Sequence, residues 1–149
     1  MTQHEKDVFY MEFAKHSASK SKDNSTKVGA CLVNDNRLLS IGYNGAPRGF
    51  PDDKVPLVHN ENDPIEKRKN SYMVHAELNA ILNYGGALKD LRGATLYVTV
   101  SPCHECAKII IQTGIKRVVY LNEYHRSETI KMAFMLFNMA GVKYEKLGE

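Results

Sequence analysis

Long apolar runs are missing from this chain. No stretch approaches the roughly 18 apolar residues of a membrane span, and residues 1–10, MTQHEKDVFY, are too polar for a secretory signal peptide. A cytoplasmic location is therefore expected. Cysteine is scarce: the set is Cys31, Cys103 and Cys106, an odd number, and the last two stand too close together to close a useful structural loop. That argues against a disulfide scaffold. There is also little excess charge of either sign. A formal net charge of +3 suits anionic ligands, yet it is far from the basic profile of a dedicated nucleic-acid binder. Proline is sparse and unevenly placed, with four of five falling within residues 45–71, GAPRGFPDDKVPLVHNENDPIEKRKNS. Repeats, low-complexity tracts and linkers are absent, and 149 residues suffice for one core but not for two ordinary ones. Residues 1–149 thus read as a single domain, with the proline-rich stretch as a long functional loop inside it.

What the chain does contain is a regular alternation of patterns. Residues 5–20 place Val8, Met11, Phe13, Ala14 and Ala18 at helical spacing. KVGACLV and LLSIGYN flank the polar turn NDNR and predict a β-hairpin. HAELNAILNYGG has helical spacing and ends in glycines suited to a cap. A second helix is expected to start after Pro102, with that proline in the first helical position. Strand ATLYVTV, helix CHECAKIIIQTG, strand RVVYL, helix SETIKMAFMLFNMAG and strand VKYEKL follow in turn. Apolar strands alternating with helices predict a three-layer α/β/α sandwich on a five-stranded, mixed, mostly parallel sheet. Ligands in such folds bind beyond the carboxyl ends of strands, where Ser101–Cys103 lie.

Cys103 and Cys106 stand three apart at a helix start, so both sulfurs can point one way, and the helix N-terminus favours thiolates. Alone, a Cys-x-x-Cys pair is equally a redox motif or half of a structural zinc knuckle. His75, at the entrance to another helix, adds a third ligand for a tetrahedral zinc whose open fourth position marks catalysis. Such a metal lowers the pKa of bound water to about 7. Glu77 follows His75 by two, a spacing that within a regular helix would turn the side chains to nearly opposite faces. His75 is therefore expected just before the helix proper, leaving Glu77 free to reach the water without binding the metal. Cys31 reads as a buried small apolar side chain, and His104 as a residue facing away from the metal. The Met- and Phe-rich MAFMLFNMAG reads as core or subunit packing.

His-x-Glu at 75–77 followed by Pro-Cys-x-x-Cys at 102–106 resembles the signature of zinc-dependent deaminases. Joined in order with SKDNSTKVGACLV, IGYNGAPRGF, IIIQTGIKRVVY and LFNMAGV, it resembles the deoxycytidylate (dCMP) deaminase family of the cytidine deaminase superfamily, from about Asp7 to Tyr144. The resemblance implies a cytidine deaminase-like fold, one catalytic zinc per subunit on His75, Cys103 and Cys106, and Glu77 as proton shuttle. It implies hydrolysis of dCMP to dUMP and ammonia by attack of zinc-bound hydroxide at C4, with dUMP feeding thymidylate synthesis. Ala76 and Ser101 would hold the base edge and leaving amine, Asn44 the sugar, and Tyr124 the base or phosphate. The loop residues Gly42, Tyr43, Asn44, Gly45 and Arg48 correspond to a nucleotide-triphosphate regulatory site. A homohexamer activated by dCTP and inhibited by dTTP, with Mg2+ on the triphosphate, completes the implied picture. Lys20, Lys22 and Lys27 form either a solvated basic loop or a phosphate-contacting one, with Lys22 the candidate contact. Some members hold a second, structural zinc near the long loop; here that loop offers His59 but no cysteine, so a single zinc is expected.

Two rivals differ in their predictions. A deaminase of tRNA adenosine or free cytidine would use the same metal, but a tRNA editor should carry an extended basic surface. A silent nucleotide-binding zinc protein would have no use for an acid beside an open metal position. The expected partner is a free nucleotide, with neither nucleic acid nor membrane.

Overall fold

The computed structural model describes residues 1–124 and 126–148. Helix α1 spans Gln3–Ala18 and starts at a capping box: Thr2 Oγ1 accepts from the Glu5 amide at 3.1 Å while the Glu5 carboxylate accepts from the Thr2 amide at 3.4 Å. Strands β1 (Gly29–Asn34) and β2 (Arg37–Tyr43) form the expected hairpin, turned by Asp35 and Asn36 at φ 52° and 59°. Two left-handed residues are what a tight two-residue hairpin demands, and Asp and Asn tolerate them. The long loop follows, relieved by short 3-10 turns at 52–54, 65–67 and 69–71. Its base is clamped by a two-bond bridge between Gly45 and Val74, at 3.1 and 2.7 Å. Helix α2 (Ala76–Asn83), β3 (Thr95–Val100), α3 (His104–Thr113), β4 (Arg117–Asn122), α4 (Ser127–Ala140) and β5 (Lys143–Lys146) complete the chain.

The strands lie in the order β2-β1-β3-β4-β5; β1 runs antiparallel to both neighbours, and β3, β4 and β5 are mutually parallel. Alternation along each strand sends side chains to opposite faces. Ala30, Leu32, Leu96, Val98 and Val118 pack with α2, α3 and α4 in one core cluster. Cys31, Val33, Tyr97 and Val119 pack with Met11 and Ala14 of α1 in the other. The result is a mixed five-stranded sheet between helical layers. Cys31 is fully buried, as read, and burial pushes its thiol up to about 12. No helix among the described residues is long and apolar enough to cross a membrane.

Three local readings are corrected. Helix α1 turns inward on Met11, Ala14 and Ala18 as expected, but with Asp7 and Ser17 in place of Val8 and Phe13, which stay 41% and 36% exposed. The cause is Arg117 of β4, whose guanidinium meets both Asp7 carboxylate oxygens at 2.7 and 2.6 Å, with the Tyr97 hydroxyl adding a bond at 2.7 Å. Glycines 85 and 86 do not cap α2, because the chain already leaves the helix at Tyr84 in an extended conformation. Pro102 is fully buried and precedes the N-cap residue Cys103, so it stands two positions before His104, the first helical residue.

Candidate active site

Helices α2 and α3 begin side by side, and their N-caps are His75 and Cys103. His75 has φ −72° and ψ 153°, so it is extended backbone and Glu77 is the second residue of the helix. This resolves the spacing problem, since the two side chains leave from different backbone geometries and need not diverge. Neither N-cap side chain caps its own helix. Both are turned instead toward Cys106, in the first turn of α3.

His75 Nδ1 lies 3.2 Å from Cys106 Sγ and 3.6 Å from Cys103 Sγ, and the three donor atoms fall within 4.8 Å of one another. Tetrahedral zinc with Zn–S near 2.3 Å and Zn–N near 2.0–2.1 Å places nitrogen and sulfur about 3.6 Å apart. The donor set therefore fits zinc in kind and in spacing. A hydrogen bond from Cys106, with His75 adding to it, holds the Cys103 thiol down to about 4. Bonding to Cys103 in turn raises His75 to about 9, while its bond to Cys103 and burial push the Cys106 thiol up. Two helix N-termini aimed at the same point add favourable dipole to a site built for thiolates.

Glu77 is buried beside this group, 4% exposed, and burial raises its carboxyl above the ordinary value. Gly42 explains how α2 comes so close: a Cβ there would meet Ala80 N at 2.3 Å and Ala76 O at 2.6 Å, so β2 supports the helix backbone directly. Above the donors opens a cleft of about 670 Å³, within the size range of small-ligand sites. Asn44, Ala76, Ser101 and Tyr124 all line it, as do the donors His75 and Cys103. Ser101 Oγ accepts from the Tyr124 amide at 2.9 Å and so fixes how the chain leaves β4. Asn44 is buried and cross-linked: its Oδ1 accepts from the Val28 amide at 2.8 Å and its Nδ2 donates to the Thr26 carbonyl at 3.0 Å.

Other sequence-derived candidates lie outside the cleft lining, His104 excepted. Lys22 pairs with Asp52 at 2.7 Å on the surface, both side chains mostly solvated, outside the cleft lining. Of the GYNGAPRG stretch only Asn44 reaches the cleft; Tyr43 lies under the Lys20 ammonium, Gly45 carries the bridge to Val74, and Arg48 is exposed. His104 does turn from the donors: its Nδ1 meets Thr129 Oγ1 at 2.7 Å, and its amide donates to the same hydroxyl, tying α3 to α4. Sequence reasoning missed Asp23 and Lys69 on the cleft wall, and it noted His59 only as a metal-ligand type in the long loop, not as a third cleft residue. Lys69 sits in the run Lys67-Arg68-Lys69, where nothing marks one cation as buried. His59 Nδ1 is buried with no partner among the described residues.

A sequence profile of the cytidine and deoxycytidylate deaminase zinc-binding region matches residues 4–122. The chain is 46% identical over 140 residues to the deoxycytidylate deaminase of Mus musculus, covering 93% of this chain and 77% of that protein. It is 44% identical over 147 residues to a probable deoxycytidylate deaminase of Drosophila melanogaster, covering 94% and 71%. The fold is similar to the crystal structure of dCMP deaminase from the cyanophage S-TIM5 in complex with dCMP and dUMP, with TM-score 0.74, 30% identity and 98% of each chain covered.

Proposed function

Since the chain belongs to the cytidine and deoxycytidylate deaminase family with its zinc-binding region, we propose that it hydrolyses dCMP to dUMP and ammonia as one catalytic domain. The observation that carries this reading is the placement of Glu77, a buried acid at the floor of a nucleotide-sized cleft beside a three-donor metal group that it does not join. Bound on His75, Cys103 and Cys106, zinc supplies Lewis acidity that makes water a nucleophile near neutral pH. Glu77 takes the proton from the attacking water, delivers it to N3 of the pyrimidine, and passes a second proton to the departing amine as the C4–N bond breaks. Atoms balance: one water enters and one ammonia leaves. Backbone groups of Ala76 and Ser101 hold the base edge and the leaving amine in this reading, which is supported by the burial of both residues on the cleft wall. Asn44 takes the sugar and Tyr124 the base or phosphate in this reading, which is supported by their place in the cleft lining.

The regulatory part of the proposal is activation by dCTP and inhibition by dTTP, each with Mg2+, through the loop at residues 42–48. It is supported by the family resemblance of GYNGAPRG and by the exposure of Arg48, whose planar fork suits phosphate oxygens. A hexamer is supported by Met132, Met135 and Met139 of α4, which stand 40%, 54% and 79% exposed and offer an apolar face. A cytoplasmic enzyme feeding dUMP to thymidylate synthesis, with free nucleotides rather than nucleic acid as partners, fits the modest charge.

The test is ultraviolet loss of the cytosine chromophore on mixing zinc-loaded protein with dCMP, with and without dCTP and Mg2+. Turnover is expected, and it is expected to rise with dCTP. Glu77→Gln should abolish turnover while keeping stoichiometric zinc and the melting temperature. Loss of zinc from that variant would make Glu77 structural and defeat the assignment.

A further inference from the structure

Asp23 and Lys69 form an ion pair in the cleft wall, Oδ1 to Nζ 3.0 Å, with side chains only 4% and 11% exposed. It joins the turn before β1 to the long loop. Desolvating two charges costs more than their attraction returns unless every remaining lone pair and proton finds a partner, and among the described residues they do not. Asp23 Oδ1 accepts from the Ser25 amide at 2.7 Å, the Thr26 amide at 3.0 Å and Lys69. Oδ2 has only Asn44 Nδ2 at 3.4 Å, beyond the usual range. An ammonium carries three donors, and among the described residues Asp23 is the hydrogen-bond partner of Lys69 Nζ.

The wall beside Asn44 thus offers a little-used acceptor and unspent donors on a pair with no net charge. That combination complements a hydroxyl, which donates once and accepts; a phosphate dianion would meet the carboxylate. Burial pushes the Asp23 carboxyl up, but the Thr26 amide, Lys69 and the Ser25 amide hold it below the ordinary range, so it remains an acceptor at neutral pH. Resting on the deaminase reading above, we propose that Asp23 and Lys69 read the sugar hydroxyl of the nucleotide. The hydroxyl donates to Asp23 Oδ2 and accepts from Lys69 Nζ. In a 2′-deoxynucleoside 5′-monophosphate the one free sugar hydroxyl is the 3′ group, so the pair sets specificity at that position.

The experiment compares dCMP with 2′,3′-dideoxy-CMP on the zinc-loaded full chain and on Lys69→Met and Asp23→Asn. Hydrogen bonds to charged groups predict that losing the 3′-hydroxyl lowers kcat/KM about 10- to 100-fold in the unmodified protein. In either variant the two substrates should converge. A variant that loses activity equally on both, preserving their ratio, shows a merely structural pair and overturns the proposal. So does a variant whose loss follows the phosphate, judged by deoxycytidine against dCMP. Indifference of the unmodified protein to the 3′-hydroxyl overturns it without any variant, which covers variants that fail to fold. Calorimetric binding of dUMP and its 3′-deoxy analogue reads the same contact without turnover. An inactive protein therefore counts against the deaminase reading, and equal binding of the two ligands against this one.

Discussion

Two ion pairs, one beneath α1 and one in the cleft wall, are built differently. Asp7 and Arg117, under α1, meet fork to fork at 2.7 and 2.6 Å. Tyr97 and Gln3 take further positions on Asp7, and Arg117 also bonds Glu145. Asp23 and Lys69, at the cleft, share a single bond, and one carboxylate oxygen is scarcely used. Saturation marks a pair whose task ends within the fold; leftover donors and acceptors facing a cleft mark one that anticipates a ligand.

The comparison breaks most directly at Arg117. Arg117→Met strands the buried Asp7 carboxylate and should cost about 3–5 kcal/mol, read as a lower urea midpoint. Turnover of the folded fraction on dCMP should be unchanged, and a fall in kcat there would erase the distinction. Lys69→Met should cost less, about 1–3 kcal/mol, because two backbone amides still serve Asp23 Oδ1. Its activity should suffer all the same. Joint replacement sharpens the contrast: Asp7→Leu with Arg117→Met should regain stability relative to Arg117→Met alone, as apolar substitutes for buried pairs often do. Asp23→Leu with Lys69→Met should recover no turnover, whatever its urea midpoint.

Acid gives a smaller effect. Burial raises both Asp7 and Asp23, but their hydrogen bonds, from Arg117 and Tyr97 in one case and Thr26, Lys69 and Ser25 in the other, leave both lowered in the fold. A lowered carboxyl contributes stability that is full above its unfolded value, about 3.9, and is lost as pH falls through the folded one. Urea midpoints should therefore decline below about pH 4, and Asp7→Asn should flatten that decline. The smallest change is expected at Lys22 and Asp52, mostly solvated side chains. Lys22→Ala should leave the melting temperature unmoved.

The metal donors and Glu77 were legible because their spacing is short-range: two residues across a helix entrance and three along a first turn. The hairpin and the β3-α3-β4-α4-β5 alternation were legible from apolar periodicity. What escaped was decided by partners remote in sequence. Asp7 reads as a solvent-facing charge until Arg117, 110 positions later, draws it inward. Lys69 is one of three adjacent cations, and only its distant carboxylate distinguishes it. Gly42, assigned by resemblance to a regulatory nucleotide loop, also has a packing reason to be glycine, because a helix backbone presses on it. The metal site thus declared itself in the sequence, whereas most of the cleft wall became visible only in three dimensions.

The bridge between Gly45 and Val74 has an evolutionary consequence. By tying off residues 46–73 at their base, it makes that excursion an exchangeable cassette. Lengthening such a segment costs little in closure entropy, since each doubling adds only about 0.6 kcal/mol. Yet the cassette contributes Lys69 and His59 to the cleft and none of the metal donors. Substitutions in that one segment can therefore reshape part of the cleft wall while every metal donor stays where it is.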